Sequence, residues 1–131
     1  DLYACAVSYA GIADVASILG KAKWDSGTES GAMHYWEKRV GVSFDDTDLL
    51  RAISPAYHAD QVRAPVLLLH STNDVTVPVS ESEREETELL KARKKVRLVE
   101  LPGDDHYLQH EDARRVLLKE TEAFLAANIG N

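Results

Sequence analysis

Hydrophobic and polar positions divide the second half of the chain into alternating strands and helices. A continuous apolar run at Val66–His70 is typical of a strand buried on both faces of a parallel sheet, and the alternating stretch Val96–Leu101 predicts the next strand. Between these two strands, a strongly charged helix is predicted over Ser80–Lys95, and it is expected to be exposed. After the second strand, a long amphipathic helix is predicted over Glu111–Asn128, and Gly130 terminates it. Units of this length indicate a parallel sheet covered by helices through right-handed connections.

The first half of the chain shows one short strand and then three helical segments. Small β-prone residues favour a buried strand over Tyr3–Ser8, and Asp14 is a predicted N-cap for the first helix. The predicted helices span Val15–Lys23, Ala32–Val40 and Asp48–Ser54, separated by polar breaks at Trp24–Gly31 and Asp45–Thr47, with Gly41 and Pro55 limiting the last two. The predicted fold class is therefore α/β, with about three mostly parallel strands and covering helices.

Composition and charge narrow the classes of partner. The 131 residues suffice for one domain, and 15 basic against 22 acidic residues give a net charge of −7, which argues against nucleic-acid binding. No apolar run reaches the roughly 18–20 residues of a membrane span. The histidines are scattered without metal-ligand spacing, so no metal or cofactor is expected. The single Cys5 forms no internal disulfide, and cysteine poverty fits the cytoplasm.

Two polar loops follow the two strands predicted in the second half. Ser71–Pro78 contains Asp74, and Pro102–Tyr107 contains His106. Because the carboxyl ends of parallel strands meet at one edge of a sheet, these side chains can meet there. The carboxylate would hold the proton of one ring nitrogen and leave the other nitrogen to take a proton from a hydroxyl. Acid before histidine is the chain order of α/β-hydrolases.

Other assignments stay open on the residues alone. Asp74 can be an ordinary turn residue, and His106 can be a loop histidine without a role. Asp104 and Asp105 adjoin His106 in sequence and are rival acids.

The nucleophile of such a triad has no clear candidate. The motif G-x-S-x-G, which forms the sharp nucleophile turn of α/β-hydrolases, is absent from the sequence. Ser8 stands between small residues and precedes Asp74 and His106 in the correct order, and Ser71 is the next candidate.

Five stretches match one known family in the same order along the chain. They are DLYACAVSYAGIAD, HYWEKRVG, AISPAYHADQVRAPVL, APVLLLHSTNDVTVP and VRLVELPGDDHYL. Together they resemble the prolyl oligopeptidase family of serine peptidases, whose acid loop commonly has H-G-x-x-D-x-x-V-P. The resemblance implies that Asp74 is the triad acid, His106 the triad base and His70 structural. Ser71 departs from the family, which commonly has glycine there.

The resemblance also implies substrate contacts. In related dipeptidyl peptidases an aromatic residue on the helix before the acid helps to hold the substrate, and Tyr35 has the matching position. Val77, beside the acid loop, is a second candidate. The alternative is that Tyr35 and Trp36 simply pack in the core.

On the resemblance, residues 1–131 are expected to be the C-terminal part of an α/β-hydrolase catalytic domain. The chain begins without methionine and almost inside a strand, and the match places Ser8 on the strand after the nucleophile helix. The first strands, the nucleophile and an N-terminal β-propeller would then lie outside the chain. The parent enzyme would hydrolyse peptide or acyl-peptide bonds, and the chain alone is predicted to be inactive.

If the first strands of the sheet lie outside the chain, one edge of the remaining sheet has no partner strand. An unpaired sheet edge favours pairing with another copy, so a homo-oligomer through the exposed edge is predicted, besides the peptide substrate of the parent enzyme. Two alternative functions remain: a non-catalytic, self-associating binding module, and a minimal esterase that uses Ser8.

Overall fold

A computed structural model of the chain describes residues 2–27, 31–41, 43 and 45–129. Its centre is a parallel sheet with the strand order β1-β2-β3, where β1 is Ala6–Tyr9, β2 is Val66–Ser71 and β3 is Val96–Leu101. Ser8 pairs with Leu68 in the register of β1 and β2, and Leu68 pairs with Leu98 in that of β2 and β3. The predicted α/β class with parallel strands is confirmed.

Helices fill the connections between the strands. Within the described ranges they are α1 (Val15–Ser26), α2 (Gly31–Val40), α3 (Thr47–Ala52), a 3₁₀ helix (Pro55–Gln61), α4 (Ser80–Lys91) and α5 (Glu111–Ile129). Asp14 caps α1 as predicted, because its carboxylate accepts a 3.0 Å hydrogen bond from the N–H of Ala16. None of the described helices combines the length and the apolar character needed to cross a bilayer.

Several predicted boundaries differ from the structure for local reasons. β1 begins at Ala6 rather than Tyr3, because the N–H of Ala6 already bonds to the carbonyl of Pro65, the residue before β2. α1 continues past Lys23 to Ser26, where Gly27 adopts a φ of 82° and donates to the Lys23 carbonyl. The remainder of the predicted loop, residues 28–30, and the predicted helix end at Gly130 lie outside the described residues.

Two further differences concern the helices around β2. α3 ends at Ala52, and Pro55 begins the 3₁₀ helix, which was not predicted. α4 ends at Lys91 rather than Lys95, because Arg93 takes a φ of 58°. The prediction that α4 is exposed is wrong for one face of the helix, where Glu81, Ser82 and Leu89 are buried.

The two faces of the sheet are covered by different helices. α4 covers the face that carries His70, since Ser82 of α4 hydrogen-bonds to that ring. Arg97, which is opposite Leu67 in the register, forms an ion pair with Glu120, so α5 covers the other face. A second cluster beside the sheet packs α1, α2 and α3 together around Leu19 and Leu50, with Val15, Ala16, Trp36 and Val40 against it.

Candidate active site

The acid loop begins where β2 ends and folds around the carboxylate of Asp74. The Oδ1 atom of Asp74 accepts hydrogen bonds from the backbone N–H groups of Thr76 and Val77 at 2.9 and 2.8 Å. The backbone N–H of Asp74 donates to the Ser71 carbonyl at 3.2 Å. The residue is only 6% exposed, so the carboxylate is held in a closed turn by its own neighbours.

The second carboxylate oxygen of Asp74 faces the loop that follows β3. The Nδ1 atom of His106 lies 2.7 Å from Asp74 Oδ2. A carboxylate only accepts hydrogen bonds, so Nδ1 carries the proton and donates it, which leaves Nε2 unprotonated in the neutral ring. The structure therefore brings the predicted acid and base together in the orientation that a proton-accepting histidine needs.

The rival acids have other partners. The carboxylate of Asp104 bonds to the ring of His110 at 3.0 Å, and that of Asp105 accepts from the backbone N–H of Tyr107 at 2.9 Å. Among the described residues, neither of these carboxylates hydrogen-bonds to the ring of His106. Asp74 is thus the carboxylate that orients His106 in this structure.

A second histidine supports the acid loop from within the core. His70 is fully buried, and its Nε2 donates to the Val77 carbonyl at 2.8 Å while its Nδ1 accepts from the Ser82 hydroxyl at 2.7 Å. Because a carbonyl can only accept, the proton belongs on Nε2, which also lies 3.5 Å from Asp74 Oδ2. These contacts agree with the structural role predicted for His70.

The histidine loop is organised by Asp104, which was considered from the sequence only as a rival acid. Asp104 is 1% exposed and accepts hydrogen bonds from the backbone N–H groups of Asp105, Gln109 and His110 at 2.8, 3.1 and 3.2 Å. Burial by itself raises the pKa of Asp104, but hydrogen bonds from the His110 ring and from the N–H groups of Asp105 and His110 hold that pKa below the ordinary carboxyl range. The sequence signal that could have indicated this role is the position of Asp104 directly after Pro102 and Gly103, where an aspartate often accepts backbone hydrogen bonds in a turn.

Two further contacts join the histidine loop to the rest of the site. The hydroxyl of Thr72 accepts the N–H of Gly103 at 3.0 Å, and the phenol of Tyr9 donates to the His106 carbonyl at 3.1 Å. Tyr9 was missed because it follows the predicted end of β1, and no local pattern links it to a loop 97 residues away. Its role depends on the strand register rather than on its neighbours in sequence.

The two predicted substrate-binding residues, Tyr35 and Val77, differ in their exposure to solvent. Tyr35 is 53% exposed, stacks edge-on against Trp36 with the ring centroids 5.9 Å apart, and has the Arg39 guanidinium 5.2 Å from its ring centre. Val77 is 7% exposed and lies inside the acid loop. Among the described residues, no hydrogen bond or ring contact joins Tyr35 to either loop of the site, and Trp36 is the aromatic residue that packs in the core.

A cleft of about 240 Å³ adjoins the acid loop. Val75 and Thr76 of the acid loop line it together with Ile18, Ala22 and Trp36, and the ion-paired Lys21 and Asp25 also line it. The cleft therefore offers an apolar wall beside Asp74, with charge at its rim.

The two serine candidates have other surroundings than the His106 ring nitrogen. Ser8 is in register with Leu68, which puts its side chain on the α4 face of the sheet, where it lines a cavity of about 280 Å³ with Ser82 and Glu85. Ser71 is fully buried, and its hydroxyl lies 3.1 Å from that of Tyr9. Within the described part of the chain neither serine hydrogen-bonds to the His106 ring. The same part contains no group of three or more acidic, histidine or cysteine side chains placed to hold a metal ion.

Solved structures that superpose on this chain include proteins named as peptidases. The puromycin-hydrolyzing peptidase of Mycobacterium tuberculosis superposes with a TM-score of 0.83 at 26% identity, over 96% of this chain and 18% of that protein. The acylaminoacyl peptidase of Pyrococcus horikoshii superposes with a TM-score of 0.83 at 21% identity, over 100% of this chain and 21% of that protein. The three-stranded parallel sheet and its helices are therefore those of α/β-hydrolase peptidases.

Sequence similarity agrees with the structural similarity. The uncharacterized peptidase YuxL of Bacillus subtilis is 33% identical over 76 residues, which are 58% of this chain and 12% of that protein. The chain thus spans between 12% and 21% of the length of these three relatives. Residues 1–131 as a whole match the model of the prolyl oligopeptidase family, and the chain belongs to that family.

Proposed function

We propose that this chain supplies the acid and the base of a serine peptidase that hydrolyses peptide or acyl-peptide bonds. The observation that carries the proposal is the 2.7 Å hydrogen bond from His106 Nδ1 to Asp74 Oδ2, formed between loops at the ends of adjacent strands. Membership of the prolyl oligopeptidase family supports the serine-peptidase class. The peptidase names of the structural relatives support peptide and acyl-peptide bonds as the substrate class.

Each side chain has one task in the proposed reaction. His106 Nε2 takes the proton of a serine hydroxyl while the serine oxygen forms a bond to the substrate carbonyl carbon. Asp74 stabilises the imidazolium that results and keeps its ring in place. The imidazolium then gives the proton to the leaving amine as the C–N bond breaks, which leaves an acyl-serine ester. Water attacks that ester by the same proton route and restores the serine.

We further propose that the 131-residue chain has no peptidase activity by itself. The sequence contains no G-x-S-x-G motif, and the side chain of Ser8 lies on the sheet face opposite that of Tyr9, which contacts the histidine loop. Loss of the nucleophile abolishes covalent catalysis even when the acid and base remain. The nucleophile would then come from outside this chain.

A fluorophosphonate probe, which reacts covalently with activated serines, tests the proposal of inactivity. The purified 131-residue chain is expected to remain unlabelled and to show no turnover of a chromogenic ester. Label or turnover that disappears in Ser8→Ala would instead establish a minimal esterase. Intact mass measured on the same sample identifies which species carries any label.

The assignment of acid and base is tested in the parent enzyme, meaning a labelled protein of larger mass that contains this chain. We expect Asp74→Asn and His106→Ala each to lower kcat by about 10⁴-fold or more. His58→Ala is the matched control, because His58 lies on the 3₁₀ helix and its ring bonds to the carbonyl of Ala52 at the end of α3. The kcat of this variant is expected to stay unchanged. A peptidase that keeps its kcat without the His106 ring contradicts the proposal.

We propose Tyr35 as a substrate contact on the basis of its half-exposed ring. In the parent enzyme Tyr35→Ala is expected to raise KM more than it lowers kcat, whereas an unchanged KM would contradict the role. The side chain of Val77 is buried in this chain, so it offers little surface to a substrate here. Its role in substrate binding stays a prediction.

We also propose that the isolated chain self-associates through β1. Ala6 and Ala10 donate their N–H groups towards β2, so strand alternation turns the N–H groups of Val7 and Tyr9 to the outer edge, where no other strand of the described residues pairs with β1. Such an edge pairs readily with a second copy. Light scattering at micromolar concentration is expected to show a dimer or a larger species, and a monodisperse monomer would contradict the proposal.

A further inference from the structure

The ends of β1 and β2 place two hydroxyl groups under the histidine loop. Tyr9 is the last residue of β1 and pairs with Leu69, and Ser71, two residues beyond Leu69, is the last residue of β2. Side chains two residues apart along a strand lie on the same face, so Tyr9 and Ser71 share a face of the sheet. Their oxygens are 3.1 Å apart.

The phenol of Tyr9 contacts the backbone of the histidine loop at two consecutive residues. Its oxygen lies 3.2 Å from the Asp105 carbonyl and 3.1 Å from the His106 carbonyl. Both carbonyls can only accept, so the single phenolic proton is shared between them, and the phenol oxygen accepts in turn from the Ser71 hydroxyl. In this arrangement Ser71 donates to Tyr9, and Tyr9 donates to the backbone of the histidine loop.

The surroundings keep the phenol in its donating form. Burial raises the pKa of Tyr9, the hydrogen bond with Ser71 partly offsets that rise, and the nearby carboxylates of Asp74, Asp104 and Asp105 add to it, so the net shift is upward. A phenol whose pKa lies above the ordinary value of about 10 keeps its proton at neutral pH, so the hydroxyl is available to donate to the loop.

The two ends of His106 are thus held by different partners. Asp74 holds the ring at Nδ1, whereas Tyr9 holds the backbone carbonyl of the same residue. Fixing the backbone limits how far the ring can swing away from the carboxylate, which is the condition for a preorganised base. Ser71 adds to this bridge at the position where the family commonly has glycine.

We propose that Tyr9, together with Ser71, is a positioning residue that holds the backbone of His106 so that its imidazole stays hydrogen-bonded to Asp74. Its relevance to peptide hydrolysis rests on the proposed function, but the positioning itself is a property of this chain. Neither hydroxyl touches the reacting atoms, so both act through His106.

The test is the NMR resonance of the His106 Nδ1–H proton, recorded on the 131-residue chain. A proton hydrogen-bonded to a carboxylate gives a distinct downfield signal whose exchange with water reports how often the bond opens. We expect this exchange to be about tenfold faster in Tyr9→Phe, because the part-buried hydrogen bond that the phenol shares between the Asp105 and His106 carbonyls is lost. Ser71→Ala is expected to show a smaller increase in the same direction.

Tyr57→Phe is the matched control, because the Tyr57 hydroxyl bonds to Arg84 at 3.0 Å, away from the site. Its His106 signal is expected to match that of the unsubstituted chain. If Tyr9→Phe does not fold, as judged by circular dichroism, Ser71→Ala decides the question by itself.

The outcomes separate the two proposals. An unsubstituted chain without the His106 Nδ1–H signal contradicts the acid–base pair and with it the proposed function. A signal that is present and exchanges equally slowly in folded Tyr9→Phe and Ser71→Ala overturns the positioning role and leaves the proposed function intact. Faster exchange in Tyr57→Phe as well would also overturn it, because any lost phenol hydroxyl would then have the same effect.

Discussion

The acid loop and the histidine loop follow neighbouring strands but are held by different kinds of contact. Asp74 closes its own turn, because its carboxylate accepts the N–H groups of the second and third residues after it. His106 makes no such turn for itself. Its loop is held by Asp104, by Thr72 of the acid loop and by Tyr9 from the far strand.

This difference separates a locally encoded loop from one that depends on the fold. The turn of the acid loop is closed by its own residues, with His70 and Ser82 packed beneath. Backbone hydrogen bonds of 3.1 Å from Thr72 to Leu101 and from Asn73 to Asp104 then attach the closed turn to its neighbours. The histidine loop needs three strands in the correct register before its carbonyls meet Tyr9. We therefore expect substitutions in the acid loop to act on its own turn, and substitutions around the histidine loop to act on the relation between elements.

The largest effect is expected for Asp74→Ala, which breaks the local turn. It leaves the N–H groups of Thr76 and Val77 without their acceptor, and an unsatisfied buried group costs roughly 1–3 kcal/mol, so the free energy of unfolding should fall by about 3 kcal/mol. Urea denaturation measures this change.

Asp74→Asn is the control for that substitution. The amide keeps an oxygen that can accept from both N–H groups, so we expect about half the loss seen with alanine. Equal losses in the two variants would show that the charge, rather than the turn, stabilises the acid loop.

A pH-dependent effect is expected at Asp104, which organises the histidine loop. Hydrogen bonds outweigh burial and lower its pKa in the folded state, so its contribution to stability is complete above the ordinary carboxyl pKa and is lost as pH falls through the lowered value. The free energy of unfolding, measured in urea from about pH 6 down to about pH 2, should fall steeply below about pH 5 in the unsubstituted chain and less steeply in Asp104→Asn.

Asp105→Asn supplies the comparison for this experiment. It removes a carboxylate next in sequence but leaves the hydrogen bonds to the Asp104 side chain in place, so the acid-induced loss should stay close to that of the unsubstituted chain. The same shallow slope in both variants would mean that charge in this region in general, and not the Asp104 hydrogen bonds, sets the acid sensitivity.

The contrast between the loops also explains what the sequence could predict. The run Val66–His70 and the strand Val96–Leu101 follow from local patterns. The order of strands in a parallel sheet made Asp74 and His106 candidates, but only the resemblance to the prolyl oligopeptidase family selected this pair over the rival acids Asp104 and Asp105. Tyr9 could not be found this way, because its contacts depend on the pairing of β1 with β2 and on the return of a loop across both. The buried face of α4 was missed for a similar reason.

Glu81 illustrates that second miss. Its charge in a run of polar residues predicts exposure, yet its carboxylate accepts the N–H groups of Ala13 and Asp14 at 3.1 and 2.9 Å. Only tertiary contact supplies the partners that make burial of this charge acceptable. The charged run therefore predicted where α4 begins, but neither its end at Lys91 nor the burial of one of its faces.

The smallest effect is expected at Thr72, where the two loops touch directly. Its hydroxyl accepts the N–H of Gly103 at 3.0 Å in a solvent-exposed hydrogen bond, where water can replace a lost partner. Thr72→Val keeps the shape and removes the acceptor, so we expect a loss of about 0.5–1 kcal/mol in the free energy of unfolding, and Thr72→Ser should restore most of it. If the valine variant also speeds the exchange of the His106 Nδ1–H proton as much as Tyr9→Phe does, the histidine loop depends on its neighbour as strongly as on the distant strand, and the contrast between a local and a fold-dependent loop would no longer hold.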